Sequence, residues 1–296
     1  MKEKRKKKQK ATGAKGPSGK TGKPARGRMF AAKAGMIILG VMISLAAIEL
    51  FISAVLHYPV LGQGGLLRMA KMIYENEYRS IIQLEPAFAQ YDPELTYLLK
   101  PGTFRFRNTE FDVEYRVNSA GLRDEESALH KPEIIVLGDS EALGWGVRQE
   151  ETYAALIARQ GRRKVLNAAV SSYGTVREMG MLNRLDTTNL KYLIIHYMHN
   201  DDLENRFYYQ HHNTLRIIQQ DQYDEVAKAL QQAKKYYPGK YVSLSARYLW
   251  MSLMEKEEDR LPGNVGGFSG PQDKPEVYFL NAIMNTARID LRKVQI

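Results

Sequence analysis

Ile134 to Val147 reads IIVLGDSEALGWGV. An apolar run stops at Gly138-Asp139-Ser140, and a turn of small residues follows. A short apolar run bounded by such a turn reads as a buried strand, and a hydroxyl placed just past it stands at the strand's tip. The same change from strand to turn to helix recurs downstream. Glu151 to Gln160 has helical spacing, Lys164 to Asn167 is a second strand, Thr175 to Arg184 is helical, and Tyr192 to Met198 is a third strand. Alternating strands and helices over this length predict an α/β fold with a parallel sheet covered on both faces.

Before this block the pattern differs. Leu66 to Leu84 carries apolar residues at helical spacing and reads as a stem that stops at Pro86. YDPELTYLLKPG (91–102) reads as a turn-rich approach. TFRFR (103–107) and FDVEYRV (111–117) alternate in polarity around Asn108-Thr109-Glu110, a hairpin pattern. After the third strand, 223–259 reads as mostly helical, 260–274 as a Gly/Pro-rich loop and 275–293 as a helix. Val294-Gln295-Ile296 reads as the start of a further strand.

The net charge of +10 belongs to one end of the 296-residue chain. Residues 1–28 hold 12 Lys and Arg against Glu3, whereas the remainder, with 31 basic and 32 acidic residues, is nearly neutral. A nucleic-acid-binding surface on the folded part is therefore not expected. Residues 1–33 read as a disordered basic tail. Within it, Gly19-Lys20-Thr21 imitates a phosphate-binding loop but lacks the strand and helix such a loop needs. No nucleotide, cofactor or metal is expected. The chain has no cysteine, which excludes disulfides, thiolate metal sites and a cysteine nucleophile.

Ala34 to Leu56 contains one charge, Glu49. As a helix it extends about 34 Å, enough to cross a bilayer core of about 30 Å. The Lys/Arg excess before it predicts a cytoplasmic N-terminus, contact with anionic lipid and an extracytoplasmic body. Glu49 is read as a tolerated acid near the interface in preference to a contact with a second helix. The expected organisation is a tail (1–33), a span (34–56), a stem and hairpin (57–130) and an α/β domain (131–296).

In an open α/β sheet, functional groups gather beyond the carboxyl ends of the strands. Those ends here offer Ser140, the loop AAVSSYGT after Asn167, and His199-Asn200-Asp201-Asp202. A hydroxyl, loop N–H groups and a carboxamide are what acyl transfer through serine requires.

LGDSEALGWGVRQEETYAAL (137–156), LNAAVSSYGTVRE (166–178) and HNDD (199–202) resemble the GDSL/SGNH hydrolase family, over roughly 91–206. YDPELTYLLKPG and VNSAGLRDEE resemble the segment preceding the domain in its membrane-anchored members. The resemblance implies a flavodoxin-like three-layer fold. It implies Ser140 as nucleophile and Asn200 as a side-chain donor to the oxyanion. Ser172, at a position where the family usually has glycine, would supply a backbone donor. It also implies an acyl or acetyl ester substrate on an envelope glycan or lipid. The family's Asp-x-x-His block, which supplies the general base, has no match. The six histidines are 57, 130, 196, 199, 211 and 212. The domain is accordingly read as incomplete at its C-terminus, or as a non-catalytic binding or scaffold relative. His199 is the nearest substitute base. His196, inside the third strand, reads as a satisfied core residue. Glu141 is expected to point away from the site.

Overall fold

The computed structural model describes residues 25–58, 65–77, 79–108, 111–198, 201–254 and 275–296. Most of the basic tail, the Gly/Pro-rich loop of 260–274 and the pair 199–200 lie outside the described residues. In chain order the helices are α1 (Ala25–His57), α2 (Gly65–Glu77), α3 (Ser140–Leu143), α4 (Tyr153–Gly161), α5 (Thr175–Leu182), α6 (Asp201–Gln210), α7 (Gln220–Lys234), α8 (Lys240–Met254) and α9 (Pro275–Thr286). The strands are β1 (Ala89–Asp92), β2 (Thr96–Leu99), β3 (Gly102–Arg107), β4 (Asp112–Val117), β5 (Ile134–Gly138), β6 (Val165–Asn167) and β7 (Tyr192–His196).

The fold is mixed α/β. Its centre is a three-stranded parallel sheet in the order β6-β5-β7. All five residues of β5 are buried, as expected of a central strand covered on both faces. Alternate side chains point to opposite faces. Ile135 and Leu137 join Leu166, Leu193, Met179 and Leu182 in one core cluster. Ile134 and Val136 join Ala142, Leu143, Phe106 and Tyr115 in another. Leu193 N donates to Gln295 O at 2.8 Å, and Gln295 N donates to Lys191 O at 2.9 Å, so 294–296 lies parallel beside β7, where a further strand was expected.

Three details differ from the sequence reading. YDPELTYLL is not merely an approach. It closes the hairpin β1–β2, because Asp92 Oδ1 accepts the N–H groups of Glu94 and Leu95 and caps the turn. α1 begins at Ala25, inside the stretch read as tail, since Ala, Arg, Met and Lys readily extend a helix once it is nucleated. The segment Met29–Leu56 is long and apolar enough to cross a membrane. Third, Glu49 is buried and does contact a second helix. Its carboxylate accepts the N–H of Tyr241 at 3.2 Å and of Val242 at 2.9 Å at the start of α8. Free N–H groups at a helix start attract a carboxylate, and only the folded chain brings residue 241 to residue 49.

The hairpin β3–β4 pairs over six residues on each strand and leads into NSAGLRDEE, which shapes the turn after β5. Arg123, with no exposed surface, donates to the carbonyls of Leu143 (3.2 Å), Gly144 and Val147 (2.6 Å) and to Gln149 Oε1 (3.1 Å). Its guanidinium lies 3.7 Å from the centre of the Tyr115 ring. Hydrogen bonds from a buried cation contribute about 1.5–3 kcal/mol each, and removing one partner leaves the others unpaired. Arg123→Met is expected to cost about 2–4 kcal/mol, with Arg123→Lys recovering only part because an ammonium cannot span the same fork. Chemical denaturation of the detergent-solubilised chain measures this. A loss below about 1 kcal/mol would remove Arg123 as the clamp of this turn.

Candidate functional site

β5 ends at Gly138, whose φ of 152° brings its Cα against both neighbours. A Cβ there would lie 2.5 Å from the Ala142 Cβ and 2.8 Å from the His196 Cβ. Only glycine lets the chain turn this tightly into α3. Asp139 caps α3, accepting the N–H of Glu141 at 3.0 Å. The cap leaves Ser140 as the first helical residue, half-buried at the strand tip. Neither its hydroxyl nor its N–H has a hydrogen-bond partner among the described residues.

The other strand ends arrive at the same edge. Val170 N donates to Gly138 O at 3.0 Å, so the loop after β6 leaves the sheet beside Gly138. His196, the last residue of β7, is in register with Gly138. The loop 170–174 is held from outside. Tyr97 donates its hydroxyl to Ser171 O at 2.7 Å, the Tyr173 hydroxyl donates to Tyr97 O, and Gln83 Nε2 donates to the Ser172 hydroxyl at 2.9 Å. Ser172 adopts φ 62°, a left-handed conformation natural to glycine and costly for other residues. Its N–H has no partner among the described residues. Two residues on, Gly174 faces the Glu204 carboxylate, which accepts the Arg177 backbone N–H at 3.4 Å and pairs with the Arg177 guanidinium at 3.1 Å.

Of the residues singled out by sequence, Ser140 and Ser172 thus lie on loops leaving the same sheet edge. Asn200 and His199 lie outside the described residues, though Asp201, which follows them, is close enough to Asp139 for the two charges to interact. Glu141 is largely exposed, but its carboxylate lies 3.6 Å from His196 Nε2, where it was expected to point away from the site. His196 corrects the sequence reading. It is no satisfied core residue, because Nδ1 is buried without a partner while Nε2 lies 3.6 Å from Glu141 Oε2. Its ring packs edge-on against Tyr153 at 6.2 Å. Gly138 lets His196 stand this close to the turn, since a Cβ there would lie 2.8 Å from the His196 Cβ.

Sequence reasoning did not find the carboxylates behind this edge. Glu178 is 1% exposed, and neither carboxylate oxygen has a hydrogen-bond partner. Burial, with the charges of Asp201, Glu204 and Asp139, holds its pKa well above the usual carboxylate range. Asp201, fully buried, is pushed up to about 7 mainly by burial, against a hydrogen bond from Met198 N. One signal was available: three acids in DDLE (201–204) opening a helix satisfy its dipole, but nothing local announces that Glu178 faces them. Among the described residues no group of three or more His, Cys, Asp or Glu is arranged to hold a metal ion.

Chemically, the edge presents a hydroxyl, two unengaged N–H groups and an imidazole with a free nitrogen. No protein-family model matches the chain, and no curated protein matches it.

The raised Asp201 pKa makes stability depend on pH. Between about pH 4 and 7 the folded state keeps a proton that the unfolded chain has released, so stability is fullest below about 4 and falls as pH rises towards 7. The expected loss is on the order of 2 kcal/mol after solvent screening. Asp201→Asn, whose amide oxygen can still accept Met198 N–H, should flatten this part of the profile. Denaturation of both proteins at pH 4.5 and 8 checks it, and parallel profiles would refute it. At the loop, Ser172→Gly should be tolerated, whereas Ser172→Val should destabilise by about 1–2 kcal/mol, because a β-branched residue resists positive φ. Equal melting temperatures for the two variants would refute the strain argument.

Proposed function

We propose that this is a membrane-anchored ester-processing protein of SGNH/GDSL type, with the flavodoxin-like three-layer fold of that family. The observation that carries the reading is Ser140: an accessible serine at the tip of the central strand, with its own N–H and that of Ser172 both unengaged at the same edge. In the proposed reaction the Ser140 hydroxyl attacks the carbonyl carbon of an acyl or acetyl ester. Its proton passes to a base, and the developing oxyanion is met by the N–H groups of Ser140 and Ser172 and the Asn200 carboxamide. The alkoxide leaves with a proton, and water or a second hydroxyl resolves the acyl-enzyme. An envelope glycan or lipid is the substrate class that fits an anchor preceded by a cytoplasmic basic tail. His196 is the base this reading favours over His199, because its register with Gly138 puts it beside the nucleophile's turn.

The alternative is a binding or scaffold protein with an inert site. It is favoured by one observation: no histidine hydrogen-bonds Ser140 among the described residues. A serine without an engaged base is a weak nucleophile, and loss of a triad member leaves about 10³–10⁴-fold over water. The expected result is slow labelling by a fluorophosphonate probe and weak turnover of a short-chain acyl ester, both abolished by Ser140→Ala. His196→Gln should lower labelling without changing stability. Absence of Ser140-dependent labelling would overturn the enzyme reading and leave the binding one. Labelling unaffected by His196→Gln would exclude that residue as base.

A further inference from the structure

The loop after β6 contains a turn from Val170 to Tyr173, closed by a hydrogen bond from Tyr173 N to Val170 O at 3.1 Å. Of its two central residues only Ser172 has a positive φ, 62°. A four-residue turn with positive φ at the third position alone is a type II turn, and glycine is the residue that suits that position. A type I turn keeps the same closing bond with both central residues at negative φ, where serine is unstrained. The two turns differ in the rotation of the central peptide, here the one that joins Ser171 to Ser172. The closing bond therefore does not choose between them, and the preference of serine favours the turn that is not adopted.

A contact from another element makes the choice. The Tyr97 hydroxyl of β2 donates to Ser171 O at 2.7 Å in a buried hydrogen bond. Tyr97 belongs to the core cluster of Ile135 and Leu137. Its own carbonyl accepts the Tyr173 hydroxyl, and the two rings meet edge-on with centres 5.3 Å apart. Burial raises the Tyr97 hydroxyl above the ordinary phenol range, so it keeps its proton and remains a donor. In a planar trans peptide the C=O and the N–H point in opposite directions. The carbonyl of the central peptide is tied inward to Tyr97, so the N–H of the same peptide, that of Ser172, points away from the core. Rotation to a type I turn would reverse both groups. Gln83 adds an exposed bond to the Ser172 hydroxyl at 2.9 Å.

We infer that Tyr97 is a positioning residue: its hydroxyl, through Ser171 O, sets the direction of the Ser172 N–H and keeps that donor available to an oxyanion at the strand tips. The use of the N–H rests on the ester reaction proposed above, whereas its direction does not. The inference also accounts for a serine at a position that suits glycine. A glycine would take up the type II turn unaided, while Ser172 is held in it by Tyr97. The hairpin β1–β2, outside the α/β block, thereby acts on the site through one hydroxyl.

Tyr97→Phe removes the hydroxyl and keeps the ring. In the detergent-solubilised full chain, kcat for a short-chain acyl ester is expected to fall about tenfold or more with KM nearly unchanged, because loss of a whole oxyanion donor costs about 10²–10³ in kcat and part of the population keeps the original turn. Adding Ser172→Gly to Tyr97→Phe should restore most of the loss, since glycine favours the type II turn. A general loss of structure would not be restored in this way. An unchanged kcat in Tyr97→Phe, or a loss that Ser172→Gly does not restore, overturns the proposal. The direction of the peptide is read separately by nuclear magnetic resonance. Ser171-Ser172 is the only pair of adjacent serines, so serine isotope-labelled at carbonyl carbon and at nitrogen marks this one peptide. The contact between Ser171 Hα and the Ser172 amide proton is short in a type II turn and longer in type I. It should be strong in the unchanged chain and weak in Tyr97→Phe. If the unchanged chain shows no Ser140-dependent turnover, the reaction reading fails and this contact alone decides the role of Tyr97. Equal contact in the two proteins overturns it.

Discussion

The guanidinium of Arg123 is the contact on which the candidate site depends. It lies outside the α/β block in sequence, at the end of the hairpin lead-in, yet it holds three carbonyls of the turn that follows Ser140. Leu143 is buried and Trp145 packs against Phe106 and Phe111, but the carbonyls of this turn still need an external donor. Arg123 supplies one and is itself held over the Tyr115 ring of β4. Its neighbour Asp124 accepts Asn167 N at 2.8 Å, and Asn167 Nδ2 donates to Ala142 O. Two adjacent residues of the lead-in thereby tie the ends of β5 and β6 to α3. The lead-in is part of the site's scaffold.

The electrostatics behind the edge run in a consistent direction. Glu178 and Asp201 are buried near Asp139 and Glu204, and burial favours their protonated forms. Arg177 pairs with Glu204 at 3.1 Å and offsets its charge. The N–H groups of Ser140 and Ser172, nearer the solvent, have no partner among the described residues.

At the other end of the molecule a single carboxylate has a comparable role. Glu49 accepts two N–H groups at the start of α8. A charged residue in an apolar span is costly when isolated. Here it sits near the end of the apolar segment and satisfies donors that a helix start leaves open, so the cost of burial is offset by bonds the fold requires.

The sequence by itself determined the strand tips, the apolar span and the alternation of strand and helix, because each follows from neighbours within one element. The continuous apolar run of 134–137 and the Gly138 turn are local facts, and β5 forms where it is expected, whereas 140–143, read as a turn, is a single turn of helix. The hairpin β1–β2 was missed because its turn depends on the Asp92 side chain capping two N–H groups, a choice that composition alone does not reveal. Only the tertiary structure decided the partners of Glu49, Arg123, Glu178 and His196. Each partner lies on a different element: Glu49 binds a helix start about 190 residues away, and His196 stands against Gly138 of the adjoining strand, where a side chain would collide with it. A residue's burial and charge partners are properties of the assembled sheet and helices, and no local pattern records them.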